Sequence, residues 1–292
     1  MKKSQLILLL IIAISPLLNC LKAYGTGTAR DMPRATIEDG LVRNIDDCYI
    51  EPDEYYMTFY RIILLNGEPV APTESSKIDY SAGAIVYENA TGGRIMVKKG
   101  EGTSLSGTFT RPPVGTYTHV IVEVAPMVQI KAHAKFSGLR YSPTRTMHGT
   151  DLTWWSTNCD IYSNSSDPNN PDARITTSQN NWGITTNYVN RVGDVSSMSG
   201  VTSKGEPYMV YLVDAGYKLV SGVGPNTMGT INRLVMVLQH PITITPLTNS
   251  VTISFNVASG CSVSLNKGNN QGNDDYITGY MAGPPEITLS TQ

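Results

Sequence analysis

Residues 111–136 read RPPVGTYTHVIVEVAPMVQIKAHAKF. Pro112 and Pro113 end strand pairing, because neither ring nitrogen donates to a ladder. Gly115 offers a positive φ for a sharp turn. The chain is then delivered into a strand. Val120, Val122 and Val124 share one face, and His119, Ile121 and Glu123 the other. After Pro126, the residues Val128, Ile130, Ala132, Ala134 and Phe136 alternate with Gln129, Lys131, His133 and Lys135. The parity is the same on both sides of Pro126, as expected of one long strand bent there or of two strands. One face reads as buried and one as wet, the pattern of an antiparallel sheet.

The same grammar extends outward. Residues 55–65, YYMTFYRIILL, are apolar on both faces and predict a strand covered on both sides. Asn66-Gly67 marks a turn after it. Short apolar runs follow at 84–87, 94–98 and 105–110, and further strands are predicted at 208–213, 231–239, 242–245 and 250–257. The parity of Val251, Ile253, Phe255 and Val257 continues through Cys261, Val263 and Leu265. The polar stretch NKGNNQGNDD (266–275) reads as a hairpin or loop, and Pro284-Pro285 introduces a last strand at 286–290. No amphipathic helix of ten residues is present in the pattern. The expected fold is all-β, an antiparallel β-sandwich with a long loop-rich insertion. Core strands span 48–136. The insertion spans 137–206, rich in Ser, Thr, Asn, Gly and Pro. Residues 207–292 carry strands that complete the sandwich or form a second β-domain.

Composition restricts function. Charged residues make up 16% of the chain and the net charge is −2, with no basic cluster beyond Lys98-Lys99. That argues against nucleic acid, which calls for a concentrated Lys/Arg face. Low charge with abundant Tyr, Ser, Thr, Asn and Gly suits an exported β protein. Met1-Lys2-Lys3 and the 13-residue apolar run Leu6–Leu18 read as a signal peptide over 1–25, too short for the roughly 20 residues of a membrane span. Ala23 and Gly25 supply small residues for cleavage. Leu17-Leu18-Asn19-Cys20 gives the rival reading, lipidation at Cys20. No transmembrane span is expected in the mature chain, and residues 26–47 read as an extended leader. Cys48, Cys159 and Cys261 are the disulfide candidates in an oxidising compartment. Three thiols leave one odd cysteine, either buried or joining subunits.

The stretch PPVGTYTHV (112–120) resembles a turn of exported bacterial β-sandwich domains, in which a Pro-x-Gly-Thr-Tyr turn leads into an inner strand. The resemblance covers residues 55–136. It implies a transthyretin-like or immunoglobulin-like sandwich and brings no active site with it.

Chemistry-bearing residues are sparse. His119 and Glu123 share a face, with His133 further on, but His119 and Glu123 lie ~13 Å apart at ~3.3 Å per residue, too far to share a metal on their own. Ser264 and Lys267 match a Ser-x-x-Lys spacing, which works only on a helix face. Asp167–Asp172 and Asn273-Asp274-Asp275 suit solvated turns or Ca²⁺-binding loops. No cofactor motif occurs. Trp154, Trp155, Trp182, Tyr162 and Tyr188 are the candidate ligand-binding residues, as an aromatic platform for a glycan. Two functions follow as expectations: a non-enzymatic surface or envelope protein that self-associates or joins other surface proteins, or a secreted glycan-binding protein using the tryptophans.

Overall fold

The structure is a computed structural model, and it describes residues 31–33, 45–98, 104–137, 152–162, 175–189, 192, 196–202, 204–222, 229–257, 260–266, 276–282 and 285–291. The first strands are β1 (Asp31–Pro33), β2 (Ile45–Ile50), β3 (Glu54–Leu65), β4 (Ala84–Val97), β5 (Thr108–Phe109), β6 (Gly115–Val124) and β7 (Met127–Lys131). The middle of the chain gives β8 (His133–Ser137), β9 (Leu152–Ser156), β10 (Cys159–Tyr162), β11 (Ile175–Thr176), β12 (Thr185–Tyr188) and β13 (Ser197–Val201). The last part gives β14 (Pro207–Val213), β15 (Arg233–Ile244), β16 (Val251–Asn256), β17 (Cys261–Asn266), β18 (Tyr276–Ala282) and β19 (Glu286–Thr291). A 3-10 turn at Gln179–Asn181 is the helical element among the described residues, and no helix there is long and apolar enough to cross a membrane. The fold is an all-β sandwich.

The larger layer is a ten-stranded sheet with β3 at its centre. One edge of β3 pairs with β4. The other edge pairs with β7 at Glu54–Tyr56 and with β6 at Phe59–Leu65. Strands β6 and β7 are therefore one long strand bent at Ala125-Pro126. The bend forks the sheet. On the far side of β6 the order continues β15, β14, β13, and on the far side of β7 it continues β12, β10. Pro126 sits at the branch point, where a missing donor breaks no ladder, and its carbonyl accepts the Val189 N–H at 2.8 Å.

The turn before β6 is held by side chains. Tyr117 Oη donates to the Pro113 carbonyl at 2.9 Å. Arg111 Nη2 donates to the carbonyls of Thr245 and Pro246 at 3.1 and 3.0 Å. Gly115 pairs with Ile244 as the first residue of β6 and does not take the positive φ expected of it. The two prolines and the Tyr117 bond make the turn without it.

Four strands of the second layer, β16–β19 and β17–β18, with β2 beside β17, face the large sheet across one core. Val120, Val122, Val124, Val128 and Ile130 point into it from the forked strand, and Phe255 meets Phe59 at 5.0 Å between ring centroids. Each such ring or branched side chain contributes about 1.5–3 kcal/mol by leaving water.

The opposite face of β6 corrects the sequence reading. Ile121 and Glu123 are fully buried, not wet. A strap formed by residues 70–83 and 214–220 covers them. Its halves are joined by Ile78 N–H to Tyr217 O at 3.0 Å and Leu219 N–H to Thr73 O at 3.0 Å. Beneath it Ile63, Leu65, Ile121, Val235 and Val237 form a second apolar cluster. Beyond Pro126 the alternation holds as expected, with Val128, Ile130 and Ala132 buried and Gln129, Lys131 and His133 half-exposed.

Three further differences concern unpatterned segments. The described part of 137–206 contributes strands β9 to β13, of which β9 and β12 lie inside their sheets and β10, β11 and β13 at sheet edges. Strand β18 follows the polar run 266–275 and has no clear pattern of its own; it pairs antiparallel with β17 and buries Tyr280. Within the leader, Asp31–Pro33 pairs parallel with β8 and β2 pairs with β17, so these parts belong to the protein's own sheets.

Candidate functional site

Two clusters of polar and aromatic side chains stand out, one on each arm of the fork. The first lies where β7 passes into β8. His133 is paired across the ladder with Trp155 of β9, and their rings stack at 4.6 Å with planes 17° apart. Trp182, just before β12, meets Trp155 at 4.8 Å, with planes 61° apart. Lys131 Nζ lies 4.1 Å from the centroid of the Trp182 ring. His133 Nδ1 is 2.7 Å from Asp53 Oδ2.

Ser156 positions the group. It is fully buried, its hydroxyl donates to the Gly183 carbonyl at 2.7 Å, and the Ala132 N–H donates to that hydroxyl at 3.0 Å. Trp182 Nε1 donates to the Ala132 carbonyl at 3.2 Å. Both tryptophans keep part of their rings in solvent.

The second cluster lies under the strap. Glu123 has no solvent exposure. Its carboxylate accepts hydrogen bonds from Tyr80 Oη and, at 3.0 Å, from Tyr217 Oη. Arg61 Nη1 lies 3.8 Å away, and Arg61 Nε donates to Glu88 at 2.8 Å. Burial pushes both phenols above the ordinary tyrosine range, and the bond and charge of Glu123 push them further. Two phenols and a guanidinium thus converge on one buried carboxylate, a clamp between the strap and the sheet.

The sequence-predicted residues separate. Trp155 and Trp182 come together. Trp154, their chain neighbour, points into the core with 2% of its surface exposed, and its carbonyl accepts from Tyr280 Oη at 2.7 Å. Tyr188 pairs with Met127 and Tyr162 with Tyr188, at the far end of β12. The Tyr162 side chain lies outside the described residues, as do Asp167–Asp172, Asn273-Asp274-Asp275 and Lys267. His119, Glu123 and His133 do not converge: His119 Nδ1 lies 2.9 Å from Thr118 Oγ1 instead.

Cys159 lies half-buried in β10, 3.7 Å from Thr185 Oγ1, and Cys261 lies fully buried in β17 beside Tyr55, with no disulfide joining the two. Cys48 sits in β2 opposite Val263.

Asp53 and Lys131 carry no site signal in the sequence, and His133 is legible there only beside His119 and Glu123. The alternation after Pro126 marks Lys131 and His133 as wet, but only the pairing of β12 with β7 brings Trp182 beside them. No family model, curated protein or solved structure matches the chain.

Proposed function

We propose that the chain is an exported, non-enzymatic cell-surface or envelope protein, an adhesion-type structural module that assembles with copies of itself. The observation that carries this reading is the edge of the large sheet at β13. Among the described residues, β13 pairs with β14 alone and ends the β6 arm of the fork. Its sequence, Ser-Met-Ser-Gly-Val, holds no charge and no proline, and Val201 is 67% exposed. Sheet edges in monomeric proteins are normally blunted by lysine, proline or a covering element, because an open row of N–H and C=O groups recruits another strand. Strand addition uses that row for affinity. The signal-like N-terminus and the low charge support the exported setting.

The test is the native mass of Thr26–Gln292 by light scattering, with and without reductant, beside the double variant Ser199→Lys/Val201→Lys. A defined oligomer that the edge lysines dissolve is the expected result. A monomer at every concentration, or an oligomer indifferent to the lysines, overturns the edge-strand reading.

A further inference from the structure

The arm of the fork that carries β7 has a face quite unlike the strapped one. Across it, Met96, Tyr56, Gln129 and Thr186 stand in register on β4, β3, β7 and β12. One step along, Glu54 stands opposite Lys131. One step further lie His133 and its ladder partner Trp155. Successive steps are ~6.6 Å apart at ~3.3 Å per residue.

Three rings on this face are each paired with a basic side chain. Arg94 holds its guanidinium 4.4 Å above Tyr56, Lys131 its ammonium 4.1 Å above Trp182, and His133 stacks on Trp155. The pairs are fixed laterally. Arg94 Nη2 donates to Gln129 Oε1 at 2.7 Å, and Gln129 Nε2 donates to Thr186 Oγ1 at 3.1 Å. Tyr56 Oη donates to Glu54, whose other neighbour is Lys98 at 4.0 Å. Arg94 is exposed, and Tyr56, Lys131, His133, Trp155 and Trp182 are half-buried.

From this face we infer a binding site for an extended acidic glycan. The parts of these half-buried residues that the basic side chains leave open supply apolar surface for the C–H faces of sugars. Arg94 and Lys131, their side-chain rotamers already restrained, supply charge for carboxylate or sulfate groups at little further ordering cost. The bound hydroxyls meet Gln129 and Glu54, each already oriented by a neighbour. Uncharged sugars would use the rings but gain nothing from the charges of Arg94 and Lys131, so the site favours acidic chains over neutral ones. The inference is independent of self-assembly, because β13 lies on the other arm of the fork.

The experiment measures binding of the purified mature chain to immobilised chondroitin sulfate and polygalacturonate. Dextran and mannan are the neutral controls, and single-stranded DNA is the polyanion control. Trp155→Ala and the double variant Arg94→Ala/Lys131→Ala are compared with the parent, after circular dichroism and thermal melting verify their folds. Binding to one or both acidic glycans is expected, weakened at least about tenfold by each variant, and falling with added salt. Equal affinity for the neutral chains, equal affinity for DNA, no binding to either acidic glycan, or binding unmoved by folded variants would each overturn the inference. Should Trp155→Ala not fold, the Arg94→Ala/Lys131→Ala protein decides alone, since both side chains lie on the surface.

Discussion

The Glu123 carboxylate accepts a hydrogen bond from Tyr217 Oη at 3.0 Å across 94 residues of chain, and this bond ties the strap to the sheet. Tyr217 has φ +60°, a conformation that costs a non-glycine residue roughly 1–2 kcal/mol. The bond to a buried charge offsets it. Truncation by Glu123→Ala leaves Tyr80 Oη and Tyr217 Oη buried without their acceptor and Arg61 without one of its two carboxylates. Leaving such a donor without its acceptor costs about 1–3 kcal/mol. The denaturant midpoint of Glu123→Ala should fall accordingly, with a smaller fall for Glu123→Gln, which keeps an acceptor oxygen. Equal stability of Glu123→Ala and the parent would remove the clamp from the account.

The same pair sets an alkaline limit. Tyr80 and Tyr217 have pKa values raised in the folded protein, by burial first and by Glu123 second. A raised folded value means that their contribution to stability is complete below the unfolded tyrosine value of about 10. It is lost as pH rises through the folded values. Tyrosinate absorbance and unfolding, followed together above about pH 10, should show exposed tyrosines ionising first and the strap tyrosines only as structure is lost. A single early transition for all tyrosines with the fold intact would contradict this. Tyr56, whose phenol is pushed up to about 12 by burial and by its bond to Glu54, should ionise late without unfolding, being on the wet face.

How far the sequence could be read follows the same division. Strands whose alternation is visible, such as Val251–Val257, are legible from side-chain parity alone. The continuity across Pro126 was legible as two alternatives, and only the common partner β3 decides for one bent strand. The wet face of β7 was legible too. The buried face of β6 was not, because its cover comes from residues 70–83 and 214–220, polar segments without periodicity. Trp154 and Trp155 illustrate the remaining gap. Adjacent strand residues point to opposite faces, so one had to be core and one surface, but which was which depends on the pairing of β9 with β8.

That split between neighbours can be measured. Trp154→Ala empties a fully packed core site and should cost about 3–5 kcal/mol. Trp155→Ala and Trp182→Ala remove half-exposed rings and should cost clearly less, with the loss appearing in glycan binding instead. Thermal melts of the three variants give the order. Similar losses for all three would mean that the His133 cluster is simply a second core.

The wet face also depends on a bulge in β4. Between Glu88 and Gly93 the register against Phe59 and Arg61 slips, and Gly92 takes φ +87° to turn the chain back. Gly93 must then lack a side chain: a Cβ there would lie 2.2 Å from Tyr87 Oη and 2.6 Å from the Ser106 carbonyl. Tyr87 is itself fully buried and donates to that carbonyl at 2.8 Å, so it has nowhere to retreat. Gly93→Ala should destabilise by about 1–3 kcal/mol, the range for overpacking a filled site. The double variant Gly93→Ala/Tyr87→Phe should cost less than the two single changes combined, because removing the hydroxyl relieves the nearer of the two clashes, that with Tyr87, and leaves the one with the Ser106 carbonyl. Arg94, the next residue, is the cation over Tyr56, so a shifted bulge should also weaken acidic-glycan binding in Gly93→Ala and restore part of it in the double variant. Strict additivity in stability would show that Tyr87 is not what forbids a side chain at 93. Unchanged glycan binding in a destabilised Gly93→Ala would show that the bulge does not place Arg94.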